Sequence, residues 1–216
     1  MNIYNISHTH YNYIKNKILP FTTAVADYFN IDIKELRHYH YTKFCQDKLD
    51  FTFTEYNFKS KLNDVLAGTT LKQNNVVIIC VNGNMIESRK NFTRMHEIIH
   101  GVFHGNSQSN QNFAEYLDKK QYSKKDIWHE LEADFGASLL IANDEALEEC
   151  LDNKLNFNEI SSVLECSKQA LRMRLINYFY HTIELPYDKT KKIVDDYQYF
   201  HNKVLLYEYS LSKFHL

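Results

Sequence analysis

The spacing of hydrophobic residues along the chain predicts helices in both halves and strands between them. Residues 6–45 are predicted to be mainly helical with a break at Pro20, because apolar residues recur every four positions at Phe21, Val25 and Phe29. Apolar and polar residues alternate over 49–53, which predicts a short strand. A run of mostly β-branched residues over 76–81 ends at an Asn-Gly turn pair, and it predicts a buried strand.

The second half of the chain is predicted to be mostly helical. Amphipathic helices are expected over about 88–104 and 126–142, with a polar loop over 105–125 between them. Two or three shorter helices follow to about residue 183, and Pro186 interrupts the chain again. Beyond it, apolar residues recur at steps of four and three over three heptads, which predicts a heptad seam at Ile193, Tyr197, Phe200, Val204, Tyr207, Leu211 and Phe214.

Composition narrows the classes of protein that this chain can belong to. Its 216 residues suit one domain, or one domain with an appendage. A net charge of −2 argues against a nucleic-acid-binding protein, since there is no basic field. The 4 cysteines are scattered and indicate thiols in a reducing cytoplasm. No apolar run is long enough to span a membrane and no signal peptide is recognisable, so we expect a cytoplasmic protein without membrane contact.

The 11 histidines include a pair with the spacing of metal ligands. His96-Glu97-Ile-Ile-His100 lies within the predicted helix over 88–104. Residues four apart lie on one face of a helix, about 6 Å apart along the axis, so both imidazoles can reach one zinc ion. Glu97 then lies beside the open coordination position, where it can take a proton from water. The motif predicts zinc-dependent hydrolysis, whereas two structural histidines on a helix are the alternative.

A catalytic zinc ion needs a third protein ligand, and the predicted helix over 126–142 offers candidates. Glu130 and Glu132 cannot both face the metal, because two helical steps are about 200° apart. Glu130 is favoured because it shares a stripe with small residues that permit close helix packing; Glu132 and His129 stay alternatives. Asp134, one turn beyond Glu130, can hold a ligand imidazole. His104 extends the histidine stripe and is expected to be structural.

These two helices resemble the ImmA/IrrE family of metallopeptidases. The resemblance rests on Arg94–His104 and Glu130–Leu140, and it extends from the strand over 76–81 to Ser167–Leu175, which is roughly residues 50–180. It implies a gluzincin-like zinc site with His96, His100 and Glu130 as ligands and Glu97 as general base. It also implies a bacterial or phage-borne protein that acts on helix-turn-helix repressors in stress responses or in the induction of mobile elements.

Two positions depart from the family pattern at the predicted contact between the helices. Ile99 stands where the family usually has Gly or Ala, and Gly136 replaces the usual Phe. The two changes compensate in volume if the helices touch there. These departures affect the packing around the ligands and not the ligand set.

We predict an α+β fold with a small sheet packed on the zinc-binding helices. Residues 1–150 are expected to form the metallopeptidase domain, and 151–216 a helical C-terminal extension. That extension holds a helix-turn-helix-like hairpin, with Ser167 as a helix N-cap and basic side chains that could meet phosphate at Lys168, Arg172 and Arg174.

The function predicted is a zinc-dependent endopeptidase that cleaves a regulatory protein, a helix-turn-helix repressor by resemblance. The alternative is a non-catalytic module that binds a repressor or DNA through the C-terminal helices. The heptad seam either packs on its own domain or forms a homo-oligomer contact.

Overall fold

Helices and one small sheet make up the part of the chain that the structure describes. The structure is a computed structural model, and it describes residues 6–57, 66–73, 76–104, 111–116 and 127–213. The strands are β1 (Phe51–Tyr56), β2 (Leu66–Gln73), β3 (Val76–Asn82) and β4 (Gln111–Tyr116). The helices are α1 (His8–Phe29), α2 (His38–Leu49), α3 (Glu87–Phe103), α4 (Ile127–Ile141), α5 (Asp144–Asp152), α6 (Phe157–Val163), α7 (Lys168–Asn177), α8 (Tyr187–Phe200) and α9 (Val204–Ser212). The predicted α+β class is confirmed.

The four strands form a mixed sheet in the order β1-β3-β2-β4. β1 pairs with β3 in parallel, and β2 pairs with β3 and with β4 in antiparallel fashion. Along β3 the residues Val77, Ile79 and Val81 are buried, whereas Val76 and Ile78 are exposed. The predicted strand is therefore present but is buried on one face only, and α3 packs against β2 and β3.

Two strands were not predicted from the sequence. β4 lies inside the segment 105–125 that the sequence analysis predicts to be a loop, so that prediction is wrong at 111–116. β2 has a glycine, two threonines and no regular alternation. β4 is held by pairing with β2, and hydrogen bonds between such distant segments leave no local pattern in the sequence. β2 also pairs with the neighbouring β3, but its own residues lack the alternation that would predict a strand.

Pro20 does not break the first helix, which is a second correction. α1 runs unbroken through Pro20 and ends only where Asn30 takes a left-handed conformation. A proline inside a helix costs about 3 kcal/mol because it removes one hydrogen bond and crowds the preceding turn. Here Pro20 is exposed, and buried apolar residues before and after it anchor both halves of the helix: Tyr11, Ile14, Ile18, Phe21 and Val25.

The predicted heptad seam is also wrong. Helix α8 ends at His201, which has a φ of 55°, and α9 begins after it, so no single helix carries the seam. Phe200 and Tyr207 at seam positions are 76% and 62% exposed, whereas Leu205 and Tyr209 are buried. Phe214 lies outside the described residues. None of the helices described combines the length and the apolar character needed to cross a membrane.

The hairpin of α6 and α7 is present, but its arginines already have partners within the protein. Ser167 caps α7 as predicted. Arg174 is 2% exposed and forms a buried ion pair with Asp144. Arg172 pairs with Asp195 at 2.6 Å. The prediction that Arg174 could meet phosphate is therefore wrong, because a guanidinium buried in an ion pair cannot reach a nucleic-acid backbone.

Helices α3 and α4 pack closely because Gly136 of α4 has no side chain and leaves room for Ile99 of α3. A Cβ atom added to Gly136 would lie 2.8 Å from Cδ1 of Ile99 and 2.9 Å from Cδ1 of Ile18. Both isoleucines are buried, so neither has room to move away. The expected contact between Ile99 and Gly136 is confirmed. The side chain of Ile99 occupies the space that a side chain at position 136 would need.

We expect Gly136→Ala to destabilise the fold by about 1–3 kcal/mol, although alanine is the better helix former by about 1 kcal/mol. Ile99→Ala should also destabilise by about 2–5 kcal/mol through a cavity. In the double variant the losses should not add, because the new methyl group fills part of that cavity. Urea unfolding of the three variants measures the coupling free energy; additive losses would contradict the contact.

A buried histidine packs α1 against the π-helical turn Tyr178–Thr182. The ring of His181 stacks on Tyr11 at 4.3 Å and lies 5.0 Å from the ring of His8. Burial and then the neighbouring His8 lower the pKa of His181 from 6.5 to about 4. Between pH 6.5 and about 4, His181 is therefore protonated in the unfolded chain but neutral in the folded protein.

We expect the free energy of unfolding to decline as the pH falls from 7 to 5, with His181 contributing about 2 kcal/mol of that decline. The contribution is complete above the unfolded pKa and is lost as the pH falls toward the folded value. His181→Phe should remove it, as measured by urea unfolding at both pH values. His201→Asn, at an exposed histidine, should keep the wild-type decline. An unchanged decline in His181→Phe would disprove the assignment.

Candidate metal centre

Two histidines of α3 present their ring nitrogens to the same point. His96 and His100 are 1% and 0% exposed, and their Nε2 atoms are 3.1 Å apart. The helix carries them there because they are four residues apart on the face that packs against α4. The pair is therefore a preformed bidentate group, as the motif predicts.

Glu130 of α4 completes a triangle of donor atoms. Its Oε2 lies 3.3 Å from Nε2 of His96, and its Oε1 lies 3.3 Å from Nε2 of His100. Ligand bonds of about 2.0–2.1 Å at tetrahedral angles would place donor atoms about 3.3 Å apart. The three residues therefore have donor types and a spacing that suit a zinc ion, and they form a candidate metal-binding cluster among the described residues.

The protonation states of His100 and Glu130 also suit a metal cation. Burial lowers the pKa of His100 to about 4, so its imidazole is neutral near pH 7. Burial raises the pKa of Glu130, but contacts with His100 and His96 outweigh it and hold the pKa below its ordinary value. A neutral imidazole at His100, the imidazole of His96 and the carboxylate of Glu130 thus converge in a buried space. Such a set of electron pairs is stabilised by a cation between them.

Asp134 lies behind His96, on the side away from Glu130. Its Oδ1 is 3.2 Å from Nδ1 of His96. A carboxylate at that nitrogen favours the tautomer with the proton on Nδ1, which leaves the lone pair of Nε2 directed at the cluster. The sequence-based expectation that Asp134 holds an imidazole agrees with this geometry.

His100 is held from behind by a second histidine. Nδ1 of His104 lies 2.9 Å from Nδ1 of His100, and Nε2 of His104 lies 2.8 Å from Oε2 of Glu132. Lys17 of α1 also donates to Glu132, at 2.7 Å. If Nε2 of His100 is to bind a metal, its Nδ1 must donate to His104, and His104 must then donate to Glu132.

This chain of contacts gives Glu132 a role that sequence reasoning missed. Hydrogen bonds from His104 and Lys17 lower the pKa of Glu132 to about 2, so it is a carboxylate able to accept the proton of His104. Lys17 lies 115 residues away from Glu132 in the sequence. The four-residue spacing of His100 and His104 predicts that these two rings touch on one helix face, but no sequence signal points from them to Glu132 or Lys17. His129, the other alternative ligand, is exposed and stacks on His104 at 4.6 Å.

Glu97 is anchored from the sheet. The hydroxyl of Thr70 in β2 lies 2.6 Å from Oε2 of Glu97 and can donate to it. Both side chains are fully buried. A Cβ atom added to Gly68, also in β2, would lie 3.0 Å from Oε1 of Glu97 and 2.5 Å from a methyl group of Thr93. Strand β2 thus gives Glu97 both room and a fixed orientation.

A sequence profile describing the IrrE N-terminal-like domain, peptidase family M78, matches residues 46–176. The chain belongs to this family of peptidases. The matched segment runs from α2 to α7 and includes the whole sheet and both helices of the metal cluster. The comparison with curated proteins found no significant match. The expected resemblance to ImmA/IrrE proteins is thereby confirmed, and the match runs across the boundary predicted at residue 150, which stays a prediction.

We expect zinc affinity to separate the acidic residues of α4. Glu130→Ala leaves two imidazoles and should lower the affinity by orders of magnitude. Asp134→Ala should lower it by about 10–100-fold, since it removes the group behind His96. Glu132→Ala acts only through His104 and should cost less than about tenfold.

Chelator competition on the purified variants gives this order directly. Glu145→Ala, at an exposed glutamate of α5, is the matched control and should bind zinc like the wild type. If Glu132→Ala loses the metal while Glu130→Ala keeps it, the third ligand is wrongly assigned.

Proposed function

We propose that the protein is a zinc-dependent endopeptidase, with His96, His100 and Glu130 as metal ligands and Glu97 as general base. The observation that carries the proposal is the triangle of donor atoms, 3.1–3.3 Å on each edge. Membership of a peptidase family supports hydrolysis of peptide bonds. The choice of zinc rests on the donor set, because two imidazoles and a carboxylate with one position left for substrate are typical of catalytic zinc.

In the proposed mechanism each residue around the cluster has a separate role. A bound zinc ion would supply Lewis acidity toward the peptide carbonyl. Glu97 takes a proton from the attacking water and delivers it to the leaving amine. Thr70 keeps the Glu97 carboxylate oriented, since its hydroxyl lies 2.6 Å from Oε2. Asp134 and His104 keep the two imidazoles in the tautomers that binding requires.

The substrate proposed is a regulatory protein, namely a helix-turn-helix repressor of a phage, a mobile element or a bacterial stress response. The support is the resemblance to ImmA/IrrE proteins. We further propose that the protein works in the cytoplasm, where repressors act; its scattered cysteines suit a reducing compartment.

We expect Glu97→Gln to abolish cleavage while zinc binding is retained. Glutamine has almost the same shape but cannot accept the proton, and loss of a general base typically costs about 10²–10⁴-fold in rate. The rate is measured with zinc-loaded protein on a mixed peptide library, with products identified by mass spectrometry. Zinc content is measured on the same samples.

Glu87→Gln is the matched control on the same helix. Glu87 is exposed in the first turn of α3, and its variant should cleave like the wild type. A folded, zinc-loaded Glu97→Gln protein with full activity would contradict the mechanism. Cleavage that persists after zinc is removed from the wild type would contradict the choice of cofactor.

A further inference from the structure

A large apolar cavity lies beside the metal cluster. It has a volume of about 670 Å³ and is lined by the start of α3, the middle of α4, and α7 with its N-cap. A cavity of this size is typical of a ligand site, for which about 300–1,000 Å³ is usual. Ile86, a lining residue just before α3, is 72% exposed in the part of the chain that the structure describes.

Residues next to the metal cluster line the cavity, although the three cluster residues themselves do not. Phe92 lines the cavity and lies four residues before His96, one helical turn or about 6 Å along α3. Asp134 lines the cavity as well, and its carboxylate lies 3.2 Å from His96. Leu131, a third lining residue, directly follows Glu130. The cavity therefore adjoins the turn of α3 that precedes His96 and the carboxylate that lies behind the His96 ring.

The chemistry of the lining selects an uncharged apolar occupant. Most of its large side chains are hydrophobic: Met85, Ile86, Phe92, Leu131, Phe135 and Met173. Among the described lining residues the charged ones are Arg89 and Asp134, which are opposite in sign, and Arg89 lies over the ring of Phe92 at 5.6 Å. Neither sign of charge is thus favoured in the cavity, whereas apolar surface buried there is stabilised by about 25 cal/mol per Å².

We infer that this cavity is a specificity pocket that takes a large apolar side chain of the substrate, from a residue next to the scissile bond. The inference rests on the proposed function, since it needs a peptide held at the cluster. Neighbouring Cα atoms are about 3.8 Å apart, so a residue next to the reacting carbonyl can place a long side chain in the adjoining cavity. The metal cluster then sets the position of the cleaved peptide bond, and the pocket selects substrates that carry a large apolar side chain next to that bond.

Residues of α7 limit the size of the pocket. Ala170 and Met173 line it from the side opposite to the metal-binding helices. Both are only partly buried, so a larger side chain at either position can extend into the pocket without disrupting the core. Ala170→Phe should therefore fill the pocket, and Met173→Trp is a second filling variant at an independent position.

The experiment measures side-chain preference without requiring cleavage. Zinc-loaded protein is titrated by calorimetry with peptide hydroxamates that differ only in one side chain: alanine, leucine, phenylalanine or aspartate. We expect leucine or phenylalanine to bind at least tenfold more tightly than alanine, and aspartate to bind no better than alanine. In Ala170→Phe and Met173→Trp the ratio should fall to about twofold or less.

Lys168→Phe is the matched control, because Lys168 is exposed on α7 and is not a lining residue. It should keep the wild-type ratio. Equal binding of all hydroxamates to the wild type, or an unchanged ratio in both filling variants, would overturn the pocket and leave the peptidase proposal standing. A wild type that binds no zinc and cleaves no peptide would overturn the proposed function, and the pocket assignment with it.

Discussion

The close packing of α3 against α4 is the constraint on which the site depends. His96 and His100 come from one helix and Glu130 from the other, so donor atoms 3.3 Å apart require the two backbones to approach closely. Gly136 permits this approach, together with the fully buried Ala133 and Ala137 on the same helix. Ile99 fills the space that Gly136 leaves, so the helices are close without a void between them.

Burying these polar groups has a cost that the surrounding side chains offset. Imidazoles and carboxylates removed from water destabilise a fold unless each finds a partner. Here Asp134 lies behind His96, His104 and Glu132 lie behind His100, and Lys17 compensates the charge of Glu132. The remaining electron pairs converge on the triangle, where a metal ion would be the natural partner. Metal binding would then also stabilise the fold.

The helices and β3 were predictable because their signals are local. The pattern around the HExxH motif predicted α3 within one residue at each end, and α4 nearly as well. β4 was not predicted, since it is held by pairing with β2 across about 40 residues. β2 was not predicted because its residues show no regular alternation, although it also pairs with the adjacent β3. The break predicted at Pro20 was wrong for a related reason. Propensity describes an isolated helix, whereas packing on both sides of Pro20 holds α1 together.

By itself the sequence predicted the candidate ligands of the site. The spacing of His96, Glu97 and His100 places them on one helix, and the 200° between Glu130 and Glu132 excludes that both face one ion. Only the tertiary structure decided which groups surround them: Thr70 beside Glu97, Lys17 beside Glu132, and the apolar cavity between α3, α4 and α7. The physical reason is that a helix fixes the relative positions of residues a few places apart. Contacts between segments far apart in the chain depend on how the whole core packs.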